Sequence, residues 1–373
     1  MRVLFSCVPA IGHTFPLLPL ARAFARRGDH VAFLTSAGMG PLLDGQGFDL
    51  VPAGPMPDVL FAEAAARTGQ DPAAAPTPQS VSAFFGEIRL DTTADEAIPA
   101  ARDWAPDLIV GELTDTVGPL VAAVLGTPLA TLSFGPGIPA EFRDAIAANA
   151  APHFTARGLD APATLPAGRW LLDLCPDVLG PVAVPDGVTR LPLRPEAHRG
   201  PDGDVTPALP PAPAGRPRVL VTFGSHFGDP EIVLDLLTAL RDGVDADFVG
   251  TALPGGPPSD LLVPFQPMAK LLAGATAVVT HGGAGTVLGA LSHGLPLVIV
   301  PQGADQFVQA AAVSAVGCGV VTTPGRPDAE QLRAAVRTVL TDPAITAAAA
   351  DVRKQIDDMP SPDEVAATLG AAL

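Results

Sequence analysis

Tyrosine is absent from the 373 residues, so no phenol can serve as general acid, general base or acceptor-site hydrogen-bond donor. Cysteine is scarce. Cys7, Cys175 and Cys318 are far apart and odd in number, which gives neither metal-ligand spacing nor a disulfide framework and fits a reducing cytoplasm. Positive charge is in deficit, with 22 Lys and Arg against 39 Asp and Glu and a formal net charge of −17. Such a chain repels nucleic acid and anionic lipid, so neither is expected as a partner, while a local basic pocket for a phosphate stays open. Long apolar runs are missing as well. Mean hydropathy is positive, yet Gly, Pro or charges interrupt every apolar stretch well before the ~20 residues that a span needs. No stable membrane association is expected. The opening Met1-Arg2-Val3-Leu4-Phe5-Ser6-Cys7-Val8-Pro9 reads as a buried strand leading into a loop and a helix, rather than as a signal peptide.

What is present is an α/β alternation that occurs twice. Apolar residues make up 48% of the chain, enough for two cores. Residues 3–8 and 30–35 read as buried strands with a helical pattern at 16–27 between them, ended by Gly28. Residues 107–110 and 129–133 read as further strands around a helix at 117–125. The alternation predicts a parallel sheet with helices on both faces. It restarts at 218–223 and continues through a helix at 230–240, a strand at 275–280, a helix at 283–291 and a strand at 297–300. Between the two series, residues 200–217 are too rich in Pro and Gly for either regular element. This predicts a first domain at 1–199, a linker at 200–217, a second domain at 218–350, and a tail at 351–373. Residues 55–90 and 135–200 resist assignment. They mix Ala/Pro-rich stretches with Phe61, Phe84, Phe85, Phe134, Phe154 and Trp170, and insertions after α/β strands often choose the substrate.

The sharpest chemical signal is Ala-Val-Val-Thr-His-Gly-Gly-Ala-Gly-Thr at 277–286. A strand runs into a glycine-rich turn that opens a helix, whose first N–H groups lack intrahelical partners and carry the positive end of the dipole. His281, Gly283, Ala284, Gly285 and Thr286 therefore suit a phosphate. One strand later, Asp305 and Gln306 set a carboxylate beside an amide, suited to neighbouring sugar hydroxyls; the alternative for Asp305 is a helix cap. After the first strand comes Gly12-His13-Thr14. A neutral imidazole there can take a proton from a hydroxyl near neutral pH. Glu112, at the end of a later strand, can orient it, and Asp115 competes for that role. Asp245-Ala246-Asp247 spells a metal-binding pattern, but it lies far along the chain from the phosphate turn and reads as surface charge.

Together these motifs resemble glycosyltransferase family 1 with the GT-B fold, in particular the bacterial natural-product enzymes. The matching text is Gly-His-Thr-Phe-Pro-Leu-Leu-Pro-Leu-Ala at 12–21, Val-Thr-Phe-Gly-Ser at 221–225, and Phe-Gln-Pro-Met-Ala-Lys-Leu-Leu at 265–272 running into 277–310. The resemblance implies two Rossmann-like domains facing a cleft, an acceptor bound by the first and a nucleotide sugar by the second. It implies inverting transfer without a metal or other cofactor. His13 becomes the base and Glu112 its partner. Ser225, His281, Gly283 and Thr286 take the diphosphate, and Asp305 and Gln306 the sugar. Phe265 stands where many relatives stack a Trp on the nucleobase, and Met268 where plant-type enzymes have Gln. The tail is expected to cross back to the first domain after the break at 359–362.

The donor expected is a thymidine- or uridine-diphosphate sugar. The phenylalanines Phe61, Phe84, Phe85 and Phe134, with tyrosine absent, point to a flat, apolar aglycone. Nothing in the sequence speaks against a homodimer. Two rivals use the same fold: a sugar-nucleotide epimerase, which needs no acceptor, and a non-catalytic auxiliary protein, whose mark would be a lost base. Transfer to a membrane lipid is disfavoured by the acidic charge.

Overall fold

The computed structural model divides the chain into two compact units. It describes all residues except 71, 73–75, 166–167, 202, 205, 207–208, 210, 214, 225–227, 252–258 and 326–327. The first unit comprises Met1–Cys175, Val182–Arg194 and Pro360–Leu373, and the second Pro176–Pro181 and Pro195–Met359.

The first unit is built on a parallel sheet of β1 (Arg2–Ser6), β2 (His30–Thr35), β3 (Asp49–Pro52), β4 (Leu108–Glu112), β5 (Leu129–Leu132), β6 (Trp170–Asp173) and β7 (Thr189–Pro192). Their order is β3-β2-β1-β4-β5-β6-β7. Val3 pairs with Val31 on one side and Leu108 on the other. Val3, Leu4 and Phe5 are wholly buried, as a continuous apolar run in a doubly covered parallel sheet should be. Phe5 stacks on Phe33 at 5.2 Å.

The second unit repeats the plan with β8 (Arg218–Thr222), β9 (Asp247–Thr251), β10 (Leu262–Val263), β11 (Ala277–Thr280), β12 (Leu297–Ile299) and β13 (Gly319–Val321). Their order is β10-β9-β8-β11-β12-β13, again parallel. In each sheet the strand order reverses once, between β1 and β4 and between β8 and β11. Open α/β sheets bind ligands beyond the carboxyl ends of the strands at such a switch point.

The stretches that composition left unassigned contain regular elements. Residues 55–90 hold the helices Pro57–Thr68 and Pro78–Ser82, then a π-helical turn Ala83–Ile88 that runs into the helix Arg89–Trp104. Residues 135–200 hold the helix Ala140–Thr155 and the strands β6 and β7.

The unit boundaries differ from those read from composition. The chain passes into the second unit at Pro195 and returns at Pro360, so the described part of 200–217 belongs to the second unit rather than lying between the two. Lys270 holds Asp204 at 2.7 Å, and the His198 backbone carbonyl accepts a hydrogen bond from the Ala269 amide at 3.0 Å. The helix Pro343–Asp357 stays in the second unit, and only the helix Pro362–Ala371 belongs to the first. Ser361 and Glu364 form a capping box at its start. It packs on the helix Leu18–Arg26, where Arg27 donates to the Ala366 carbonyl at 3.1 Å.

Candidate active site

His13 lies in a one-turn helix, Ile11–Thr14, that follows the exit of β1. Its Nδ1 is 2.9 Å from Glu112 Oε1, at the end of β4. Glu112 is buried. Its Oε2 accepts from the Thr114 amide at 2.7 Å and the Thr114 hydroxyl at 2.9 Å, and Oε1 from the Val8 amide at 3.4 Å. Burial alone would raise its pKa. The imidazole of His13, with the hydrogen bonds from His13 and Thr114, outweighs burial and holds the carboxyl below its ordinary range. An ionised carboxylate only accepts, so His13 Nδ1 carries the proton, and in the neutral ring the lone pair falls on Nε2. That is the tautomer of a general base.

Asp115, the competitor for His13, is engaged elsewhere. Its Oδ2 accepts from the Ser6 hydroxyl at 2.6 Å and the Gly118 amide at 2.8 Å.

Aromatic rings wall the histidine. Phe134 meets its ring edge-on at 5.5 Å and Phe85 lies at 5.9 Å. Phe84 packs on Phe85 and Phe61 at 4.7 and 4.6 Å. Phe84 itself is only 2% exposed, within a cluster of Val8, Leu60, Ala64, Ala83 and Ile88. It therefore backs the wall and does not face an acceptor. Phe84 and Phe85 belong to the π-helical turn, a distortion common at functional sites. Thr116 ties that turn to the loop after β4 by donating to the Phe85 carbonyl at 2.6 Å.

In the second unit, His281 follows β11 directly and is 8% exposed. Its ring lies between two glycines. A Cβ on Gly283 would come 2.6 Å from Nε2, and one on Gly224 2.7 Å from Cε1. Gly224 and Gly282 also have left-handed backbones, φ +68° and +97°, which only glycine adopts freely. Thr280 Oγ1 is 3.3 Å from His281 Nδ1. The helix Ala284–Ser292 then begins with Gly283 at its N-cap and no side-chain cap. Open space surrounds Gly285, and Thr286 is in the first turn. The arrangement offers backbone N–H groups, a helix dipole and an imidazole to an anion.

Asp305 stands at the N-cap position of the helix Gln306–Val316, yet its side chain makes no cap hydrogen bond. Gln306 is 2% exposed and turns inward, where its Oε1 accepts from the amides of Gln302 and Gly303 at 2.7 and 3.2 Å. It braces the loop rather than reaching outward to a sugar. Phe265 is 43% exposed. Met268 opens the helix Met268–Leu272. Ser225 lies outside the described residues. Asp245 and Asp247 pair with Arg216 and Arg218 at 3.0 and 2.6 Å, and among the described residues no group of three or more His, Cys, Asp or Glu could hold a metal ion. Sequence reasoning missed Thr114 and Gly224. The second was in view within Thr-Phe-Gly-Ser, but its closeness to His281 arises only in the fold.

Two Rossmann-like units with these sites define a glycosyltransferase of the GT-B class. The chain is similar to the glycosyltransferase SsfS6 of Streptomyces sp. SF2575, solved with thymidine diphosphate, with a TM-score of 0.81, 26% identity, and coverage of 100% of this chain and 99% of that one. For SnogD of Streptomyces nogalater the TM-score is 0.74, the identity 30% and the coverage 100% and 99%. Residues 73–224 and 229–372 match the N- and C-terminal domains of the erythromycin biosynthesis protein CIII-like family. The L-demethylnoviosyl transferase of Streptomyces niveus is 31% identical over 100% of this chain and 98% of its own. The chain belongs to this family of bacterial natural-product glycosyltransferases, enzymes that depend on a nucleotide sugar.

Proposed function

We propose that the chain transfers a sugar, with inversion and without a metal, from a thymidine- or uridine-diphosphate sugar to a small, largely apolar natural-product aglycone in the cytoplasm. The observation that carries this reading is the 2.9 Å contact between His13 Nδ1 and the buried carboxylate of Glu112. The buried Glu112 accepts from Nδ1 and leaves Nε2 able to take a proton. The acceptor O–H gives that proton to Nε2 as its oxygen bonds to the anomeric carbon. The bond from that carbon to the diphosphate oxygen breaks, and the nucleoside diphosphate leaves with the electron pair. One displacement inverts the configuration. Glu112 stabilises the imidazolium, while His281 and the helix at Ala284 offset the leaving charge, the task a cation performs elsewhere.

Thymidine diphosphate in SsfS6 supports a thymidine donor. Relatives named for desosaminyl and L-demethylnoviosyl transfer favour a deoxysugar. The rings of Phe85 and Phe134 beside His13 suit an apolar, flat acceptor. No described helix is long and apolar enough to cross a membrane.

The test is an assay of thymidine- and uridine-diphosphate sugars with a panel of polyketide-type aglycones in EDTA, the product's anomeric configuration being read by NMR. Inverted glycoside at full rate is expected. Loss in EDTA, restored by magnesium or manganese, would refute the metal-free reading and bring Asp245 and Asp247 back into question. Conversion of the donor without acceptor would favour an epimerase.

A further inference from the structure

We infer that Arg89 and Asp115 form a buried charge layer behind His13 and Glu112 that sets how firmly the imidazole holds a proton. The inference deepens the reading of His13 as base, and its test is independent of that reading.

Arg89 opens the helix Arg89–Trp104 and is completely buried. It donates to Thr93 Oγ1 at 2.8 Å and to the Cys7 carbonyl, in the loop that leads to His13, at 3.1 Å. Its terminal nitrogen lies 3.9 Å from Asp115 Oδ1. Arg89 Nε and Asp115 Oδ1 are both buried without a hydrogen-bond partner. The two side chains therefore interact here as charges rather than through a hydrogen bond. A buried charge of either sign is expensive unless compensated. Burial draws the Arg89 pKa down, against the pull of Asp115. Burial likewise raises that of Asp115, with Arg89 opposing and Glu112 adding to the rise.

The ionisable groups packed around this spot come from three elements. The β1 exit supplies Cys7 and His13, the helix Arg89–Trp104 supplies Arg89, and the end of β4 supplies Glu112 and Asp115. Cys7 stays a neutral thiol, because burial pushes it up to about 12. Two carboxylates then face one guanidinium. With Asp115 kept ionised by the Ser6 hydroxyl, the Gly118 amide and Arg89, the set carries one negative charge while His13 is neutral and none once His13 is protonated. In a poorly polarisable interior that difference favours the imidazolium. Arg89 and Asp115 touch no substrate in this scheme. They are positioning residues, acting through Glu112 and His13.

The test is an NMR titration of histidine-labelled enzyme without substrate, the His13 signal being the one missing from His13→Ala. Asp115→Asn removes a negative charge and should lower the His13 pKa by on the order of one unit. Arg89→Met removes the positive charge and should raise it, by less, because Asp115 takes up part of the proton load. The double variant should return near the wild-type value, and Arg89→Lys should stay there. A merely structural pair would lower the melting temperature of each single variant without opposite movements of His13. An unmoved His13 in Asp115→Asn, or a fall in both single variants, would overturn the inference. Where Arg89→Met does not fold, Asp115→Asn against Arg89→Lys decides. The acid limb of kcat/KM should follow the titration. If the pKa moves and that limb does not, His13 is not the base, and the charge layer stands.

Discussion

His13 and His281 each sit at the switch point of their own sheet, on opposite sides of it: His13 follows β1, while His281 follows β11, the counterpart of β4. They are held in different ways. His13 is held by charge, through Nδ1 against the buried Glu112, and its side chain is 24% exposed. His281 is held by shape, with Gly224 and Gly283 leaving no room for a Cβ beside its ring. The same topology delivers both side chains, and their neighbours decide the chemistry. A carboxylate behind an imidazole makes a proton acceptor. Glycines beside one, at an uncapped helix start, let an anion close in on the backbone.

The largest expected effect breaks the charge-held site. A positioned imidazole base contributes roughly 10²–10⁴-fold. His13→Ala should lose transfer to an aliphatic alcohol by about that factor, with donor affinity nearly unchanged. Glu112→Gln should lose less, since it orients the base without taking the proton. Single-turnover rates for both variants make the comparison, and the loss should shrink with an acidic phenol, which needs less help to ionise. Wild-type transfer by His13→Ala would remove the base from the mechanism.

The two sites were not equally legible in the sequence. His281 came with its strand, its glycines and its helix in one continuous run. The His13 site draws on segments a hundred residues apart, so the choice between Glu112 and Asp115 stayed open until the fold showed Asp115 held by Ser6 and Gly118. Most central strands of both sheets could be read from their short apolar runs. The helix Ala140–Thr155 could not, because its buried face of Ile146, Ala147, Ala150 and Phe154 is half alanine and Pro152 interrupts it. An arginine one turn before Thr93 reads as a surface residue, and nothing local announces that Arg89 is buried. Residues 200–217 misled by composition, since contacts such as Lys270 with Asp204 attach that stretch to the second unit and leave no trace in Pro and Gly content.

A methyl group separates the two kinds of support. Gly283 has an ordinary backbone, φ −62°, so an alanine there acts only through its Cβ, 2.6 Å from His281 Nε2. The ring must move. Loss of one donor to a developing oxyanion costs about 2.7–4 kcal/mol, or roughly 10²–10³ in rate. Gly283→Ala should therefore approach His281→Ala in lost turnover and donor affinity, and the double variant should lose little more. Gly12→Ala is the control beside His13, where a Cβ meets nothing within 4 Å, and it should change the rate less than about threefold, a surface-like perturbation. Full activity in Gly283→Ala would mean that the glycine does not hold His281.

The smallest effect concerns two alanines with left-handed backbones, Ala105 at φ 55° and Ala304 at φ 52°. Such a conformation costs a non-glycine residue about 1–2 kcal/mol, and glycine gives back about 0.4–1 kcal/mol through its freer unfolded chain. Ala105→Gly and Ala304→Gly should each stabilise the protein by no more than about 1.6 kcal/mol, a rise of a few degrees at most. Their kinetics should differ. Ala105 ends the helix Arg89–Trp104, away from any proposed contact, and its variant should turn over normally. Ala304 precedes Asp305 in a loop braced by Gln306 and by Gln302, which donates to the Val300 and Gly325 carbonyls at 2.9 and 2.6 Å. Strain retained in so braced a loop fits a side chain that must be aimed. If Asp305 holds the sugar, Ala304→Gly should raise the donor KM several-fold and leave inhibition by the free nucleoside diphosphate unchanged. Asp305→Ala should do the same more severely. Normal donor KM in Ala304→Gly, with the expected gain in stability, would show that the loop's strain plays no part in aiming Asp305.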